Sequence, residues 1–298
     1  MPVLIGTASW TDKTLIDCGR FYPPHARTPE ARLRHYASIF PIVEVDSSYY
    51  GIPTPINAAR WAERTPDTFT MNVKSFRLFT GHQTPPVVLP KDIQEELGAL
   101  AARPVLYYRD VPPCLLDELW RRFIEALAPL KSAGRLGVVH FQFAPWIRCT
   151  GAGRRHVALC IERMAGHTLS VEFRHASWFE PTQAAGTLSF ERDLAVVHTV
   201  VDGPQGFDNS VPAVWTQTHP AIALVRLLGR NAVTWNRPGL AAASDRFDYD
   251  YSQEELVGLT ERIRQLSVGS AFTHVIFNNN MEDQAQRNAR SLMAILGL

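Results

Sequence analysis

The chain has 298 residues, 46% hydrophobic and 20% charged, with 30 Lys and Arg against 29 Asp and Glu. A chain of this size buries roughly 75% of its unfolded surface, so it can build a real core and is a poor fit to intrinsic disorder. The near-neutral balance also fits poorly with a strongly basic nucleic-acid binder, and no apolar run approaches the ~20 residues that span a bilayer. With no basic start followed by an apolar signal core, a soluble cytoplasmic protein is expected. Cys18, Cys114, Cys149 and Cys160 form no CxxC pair, which suits reduced thiols better than disulfides or structural zinc.

In chain order, a first strand is predicted over Val3 to Ser9, then a helix over Pro29 to Phe40, with Thr28 as N-cap and proline at the first helical position. A second strand, Ile42 to Ser48, precedes a helix over Pro55 to Arg64 capped in the same way by Thr54. The third strand, Phe69 to Ser75, leads into a proline-punctuated insertion over 77–113, much longer than an ordinary connection, whose middle (Asp92 to Ala101) can form a helix. Helix Leu115 to Lys131, strand Leu136 to Phe143, helix Arg154 to Ala165 and strand Leu169 to Arg174 follow. The stretch from Pro181 to Glu191 has room for a short helix before a sixth strand, Leu194 to Val201, whereas Asp202 to Pro220 is proline-broken and irregular. Strand Ala221 to Leu228, helix Gln253 to Leu266, strand Phe272 to Asn278 and helix Asp283 to Leu296 complete the chain, and Ser252 with Glu255 forms a capping box.

Strand, helix and strand again means parallel pairing, and eight such units in this length are what a closed (β/α)8 TIM-type barrel requires. The expected architecture is therefore one α/β barrel domain over residues 1–298 with a long insertion after the third strand. The competing doubly wound open sheet more often carries a glycine-rich turn after its first strand, and Gly6-Thr7-Ala8-Ser9-Trp10 lacks GxGxxG.

Active sites of such barrels lie at the carboxyl ends of the strands, and alternation sorts residues by face. If Val43 and Val45 meet the helices, Glu44 and Asp46 enter the barrel; Asn72 and Lys74 share a face, as do Glu172 and Arg174, and Arg226 alternates with Val225 and Leu227. Three acids (Glu44, Asp46, Glu172) and three bases (Lys74, Arg174, Arg226) thus converge on one mouth, where they must pair with one another or bind something charged. One reading is a salt-bridged plug; the other is a pocket in which arginine orients an anion and a carboxylate or histidine moves a proton.

The segment Val171-Glu172-Phe173-Arg174-His175-Ala176-Ser177-Trp178-Phe179 is densest in chemical groups, with His175 a candidate acid or base and Trp178 and Phe179 either a stacking platform or a hydrophobic plug under the loop. Ser9 and Trp10 follow the first strand, Tyr49 and Tyr50 the second, and His82 begins the insertion. His198 and Asp202 share a face of the sixth strand if alternation persists to its end, and together with Glu44 and Glu172 they would suffice for a metal, but no fixed ligand spacing appears and basic neighbours disfavour a divalent cation. Arg230 after the seventh strand can meet a phosphate, and Asn278 and Asn279 offer neutral amides.

These residues resemble the YecE-like family, the domain of unknown function numbered seventy-two. The resemblance runs over nearly the whole chain, through Gly6-Thr7-Ala8-Ser9-Trp10, Phe21-Tyr22-Pro23, Val43 to Pro53, Trp61 with Thr65-Pro66, Lys74, Leu136-Gly137 with Gln142-Phe143, Glu172 to His175 with Ser177-Trp178, and Phe277-Asn278-Asn279. It implies a TIM-type barrel and no established reaction. The family pattern usually has histidine before Gly-Arg in the seventh unit, where Leu228 stands here, and often asparagine, serine, threonine and phenylalanine where this chain has Asp46-Ser47-Ser48-Tyr49.

The resulting expectation is an enzyme using acid and base chemistry on a small polar, anionic substrate, without a metal or organic cofactor. Glu172 is the first choice for proton transfer and Glu44 the second, with His175 a further candidate. Arg174 and Lys74 are the orienting charges, and Ser9, Trp10, Asp46, Tyr49, Tyr50, His82, Gln142, Trp178, Asp202, Arg226, Arg230, Asn278 and Asn279 are candidate binding residues. The alternatives are a noncatalytic ligand- or nucleic-acid-binding protein and a metal-dependent hydrolase or nuclease.

Overall fold

A computed structural model describes residues 2–240 and 243–298. Eight parallel strands close in chain order into a barrel: β1 (Val3–Ala8), β2 (Ile42–Val45), β3 (Thr70–Lys74), β4 (Leu136–Gln142), β5 (Leu169–Glu172), β6 (Val197–Asp202), β7 (Ile222–Leu227) and β8 (Phe272–Phe277). The helices are α1 (Lys13–Asp17), α2 (Pro29–Ala37), α3 (Ser47–Tyr50), α4 (Pro55–Glu63), α5 (Lys91–Leu97), α6 (Pro113–Ser132), α7 (Gly151–Arg163), α8 (Ala184–Asp193), α9 (Gln253–Ser267) and α10 (Gln284–Leu296). The expected (β/α)8 architecture is the one observed.

The local signals account for several starts. Thr28 and Thr54 accept from the backbone N–H groups of Ala31 and Asn57, and Ser252 and Glu255 make a reciprocal capping box. Two strand ends differ from the sequence expectation by three residues, and the others by two at most. The second strand stops at Val45 because the Ser48 hydroxyl donates to the carbonyls of Val45 (2.9 Å) and Lys74 (2.6 Å), winding Ser47–Tyr50 into α3. The sixth begins at Val197, since Leu194 caps α8 and Ala195 turns the chain at φ 51°.

Two apolar clusters follow from the strand period of two. Val43, Val45, Val73, Val139, Val171 and Val225 face outward into the large core shared with the helices. Ala8, Ile42, Val138, Val197, Leu224 and Ile276 form a second cluster inside the barrel. Against it, Asn72 Oδ1 accepts from the Val138 N–H (3.1 Å) and lies 3.1 Å from His274 Nδ1.

The insertion is a packed extension of the barrel. Thr84 and Leu106 exchange two backbone hydrogen bonds of 2.9 and 2.8 Å, and Leu89, Ile93, Leu97, Leu106 and Val111 are buried in the main core. Its helix is shorter than Asp92 to Ala101: α5 ends at Leu97, and a 3₁₀ turn runs from Gly98 to Ala102. The connections 203–221 and 228–252 carry no α-helix or strand among their described residues, and both lean over the carboxyl ends of the strands.

Candidate functional site

Inward-facing residues at the strand ends set the chemistry. Glu44 and Asp46, Asn72 and Lys74, His140 and Gln142, Glu172 and Arg174 lie two apart in sequence, so the second of each pair stands roughly 7 Å nearer the mouth. The deeper level is fully buried: Glu44, His140, Glu172 and Arg226 all have 0% exposure.

Arg226 organises that level. Its Nε and Nη2 donate to Glu44 Oε2 and Oε1 at 3.1 and 2.7 Å, and its Nη1 donates to Glu172 Oε2 at 2.5 Å. Arg174 Nη1 donates to the other Glu172 oxygen at 3.0 Å, and His140 Nε2 lies 3.4 Å from the carboxylate. Burial pushes the Glu172 carboxyl up, but the charges of Arg226 and Arg174 and contact with His140 outweigh it and hold the group well below the usual carboxylate range. Burial, with Arg226 beside it, lowers the His140 imidazole.

One level up, a cavity of about 300 Å³ opens between the strand ends. Lys74 and Gln142 end β3 and β4, Asp46, Arg174 and Asn278 follow the ends of β2, β5 and β8, and Tyr49 and Tyr50 come from α3. His82 comes from the insertion, Pro145 and Trp146 from the β4–α7 loop, and Asn209, Arg246, Phe247 and Asn280 from later connections. Lys74 Nζ stands 2.9 Å from Asp46 Oδ1 and 4.6 Å from the Tyr49 ring centre, with the Arg77 guanidinium 5.2 Å from the same ring. Burial raises the Asp46 carboxyl, but Lys74 first, and then Arg226 and His140, bring it below its ordinary value. Burial pushes the Tyr49 phenol up to about 12. His82 is pushed down to about 3, first by burial and then by Lys74, Arg77 and Arg174; its Nδ1 is 2.9 Å from the Thr80 hydroxyl.

The structure therefore brings together Asp46, Lys74, Tyr49, Tyr50, His82, Gln142, Arg174 and Asn278, with Glu44, Glu172 and Arg226 sealed beneath them. Other expected site residues lie elsewhere. Trp178 is fully buried, stacked on Phe173 at 3.8 Å, and its Nε1 donates to the Ile147 carbonyl. Trp10 is buried edge-on to Trp61, and the neighbouring Ser9 hydroxyl accepts from the Thr11 N–H at 3.1 Å. His175 caps a short turn, its Nδ1 accepting from the Ser177 N–H at 3.1 Å.

Asn279 is fully buried and donates to Tyr249 O and Asn288 Oδ1, both at 2.7 Å. His198 and Asp202 share a face, but it is the outer one: His198 pairs with Glu191 of α8, and Asp202 takes a two-pronged pair from Arg230 at 2.9 and 2.8 Å. The His198, Asp202, Glu44, Glu172 metal set is thereby split across the strand. Among the described residues no group of three or more His, Cys, Asp or Glu side chains is placed to hold a metal ion.

Sequence reasoning missed His140, although alternation from Gln142 predicts its inward face. Trp146, three residues after Phe143, was findable as a strand-end residue. Arg246, Phe247 and Asn209 had no comparable signal, because they sit far along irregular connections. Asn209 is placed by tertiary bonds, accepting from Trp235 Nε1 at 3.0 Å, while Arg174 lies 4.9 Å from the Trp235 ring centre.

The family model described as "Protein of unknown function DUF72" matches residues 4–298. The chain belongs to the DUF72 family. It is 32% identical over 298 residues to the UPF0759 protein YunF of Bacillus subtilis (strain 168), covering 99% of this chain and 95% of YunF. A crystal structure of a DUF72 family protein from Enterococcus faecalis V583 superposes with a TM-score of 0.80 at 26% identity, over 99% of this chain and 96% of that one. A DUF72 family protein from Thermotoga maritima MSB8 gives 0.75 at 26% identity over the whole of both chains. Within the DUF72 barrel described here, no helix among the described residues is long and apolar enough to cross a membrane.

Proposed function

We propose that the barrel mouth is the substrate site of an enzyme that performs acid and base chemistry on a small polar anion. The observation that carries this reading is the charge lining the cavity: among the described residues, Lys74, Arg174 and Arg246 against a single carboxylate, Asp46. Taken with the sealed level beneath, Glu44, Asp46 and Glu172 against Lys74, Arg174 and Arg226 are neutral by formal count, so Arg246 and the nearby Arg77 add the positive charge of the mouth. Guanidinium groups held by buried carboxylates are preorganised for charge-assisted hydrogen bonds to an anion.

Proton transfer falls to Asp46. Among the described residues it is the one carboxylate lining the cavity, whereas Glu172 and Glu44 have no exposure and have their oxygens engaged by guanidinium groups. Those two glutamates are positioning residues. Tyr49, kept protonated at neutral pH, is a donor to a developing negative charge, and neutral His82 adds no charge of its own.

The test is to purify the full chain from cells, identify by mass spectrometry the small molecule released on denaturation, and assay its turnover. Asp46→Asn is expected to retain ligand binding and to lower kcat by about 10² to 10⁴. Turnover at the wild-type rate in that variant removes Asp46 from the chemistry. Ligand binding with no conversion by the wild-type protein makes the mouth a binding site only. Arg246→Ala is expected to weaken anion binding, and undiminished affinity there would contradict the electrostatic reading.

A further inference from the structure

We infer that the ligand of the mouth continues past Trp146 into a second cavity and that its remote part is a planar aromatic ring. This rests on the reading of the mouth as an anion site and adds a subsite to it. The whole ligand would then be an anionic group joined to a nucleobase-like ring.

The second cavity measures about 330 Å³ and lies between the insertion and the β4–α7 loop, with Gly81, Tyr107, Arg109, Trp146, Ile147 and His156 on its walls. Trp146 is a wall of both cavities, so the two meet at one indole. That indole is 47% exposed, yet it is fixed in place. Its Nε1 donates to the Gly81 carbonyl at 3.0 Å, and its ring stands edge-on to His82 (5.9 Å) and Tyr107 (6.2 Å). Gly81 sits at φ +81°, where a Cβ would approach Ile147 Cδ1 to 3.1 Å, so a side chain there would strain the turn and crowd the floor.

The two cavities differ in charge. Both have aromatic rings on their walls, but the mouth adds Asp46, Lys74, Arg174, Arg246 and side-chain amides, whereas the second site has, among the described residues, no carboxylate and one guanidinium, Arg109, 5.7 Å from the Tyr107 ring centre. Aromatic walls with a nearby guanidinium favour a flat π-system over an aliphatic chain, since any aromatic ring can stack there without base-specific hydrogen bonds.

The experiment titrates the full chain calorimetrically with inorganic phosphate, ribose 5-phosphate and adenosine 5′-monophosphate. AMP is expected to bind about tenfold or more tightly than ribose 5-phosphate, the range set by one stacked base. In Trp146→Ala and Tyr107→Ala, the ratio of the two affinities is expected to fall toward one, while Trp146→Phe keeps the preference and guards against misfolding as the cause. Equal binding of AMP and ribose 5-phosphate by the wild type overturns the ring subsite but leaves the anion site standing. A preference that survives both alanine substitutions also overturns it. Failure of all three compounds to bind removes the anion reading together with the subsite.

Discussion

A guanidinium with no exposed surface persists at Arg226 because its donors meet two carboxylates in a geometry that recovers much of the lost hydration. Removing one partner is therefore far more damaging than removing a surface charge. Glu172→Gln takes away the group shared by Arg226 and Arg174 and is expected to lower stability by about 3 to 5 kcal/mol, visible as a shift in the urea unfolding midpoint. An unshifted midpoint would mean that the network does not bind the barrel together. Alternation alone assigned Glu44, Glu172 and Arg226 to the barrel interior. Their depth was not legible, because a residue's height relative to neighbouring strands depends on strand tilt and stagger.

At the scale of elements, the junction of β3 and β4 shows how a small residue positions a polar one. A Cβ on Gly137 would stand 2.4 Å from Asn72 Oδ1 and 2.8 Å from Thr70 Cγ2. Gly137→Ala is expected to cost about 1 to 3 kcal/mol by overpacking, and Asn72→Ala in the same chain to recover part of it; additive losses in denaturant unfolding would refute the steric account. At α9, Ser252→Ala breaks the capping box and is expected to cost about 1 kcal/mol, measured in the same way. The caps at Thr28, Thr54 and Ser252 were readable because each is a local hydrogen-bonding pattern. The helical turn at Ser47–Tyr50 was not, since its two tyrosines favour strands and its Ser48 bond reaches across to β3. Arg246 escaped notice for a related reason: no periodicity marks a 3₁₀ turn in the connection after β7.

For the whole molecule, buried imidazoles and buried carboxylates act in the same direction with pH. Burial lowers His274 to about 4, and burial with nearby cations lowers His82 to about 3, from an ordinary 6.5. The unfolded chain therefore binds protons that the folded chain refuses, and stability falls as pH drops below 6.5 by about 1.4 kcal/mol per unit for each such histidine. Glu172 and Asp46 have folded values below the ordinary 4.5 and 3.8, so their contribution is present above those values and is lost as pH falls through and below them. Urea midpoints measured across pH should be level near neutrality, decline from about 6.5 and steepen below about 4.5. A midpoint constant down to pH 4 would contradict the burial of these groups. Period-two alternation, apolar spacing and cap residues are properties of neighbouring positions, so the chain alone determined the barrel and the inward facing of Glu44, Glu172 and Arg226. Which of the ionic groups line the cavity and which lie sealed beneath it, and the recruitment of Trp146, Asn209 and Arg246 to the rim, were decided by tertiary structure, because both depend on how distant segments pack over a closed sheet.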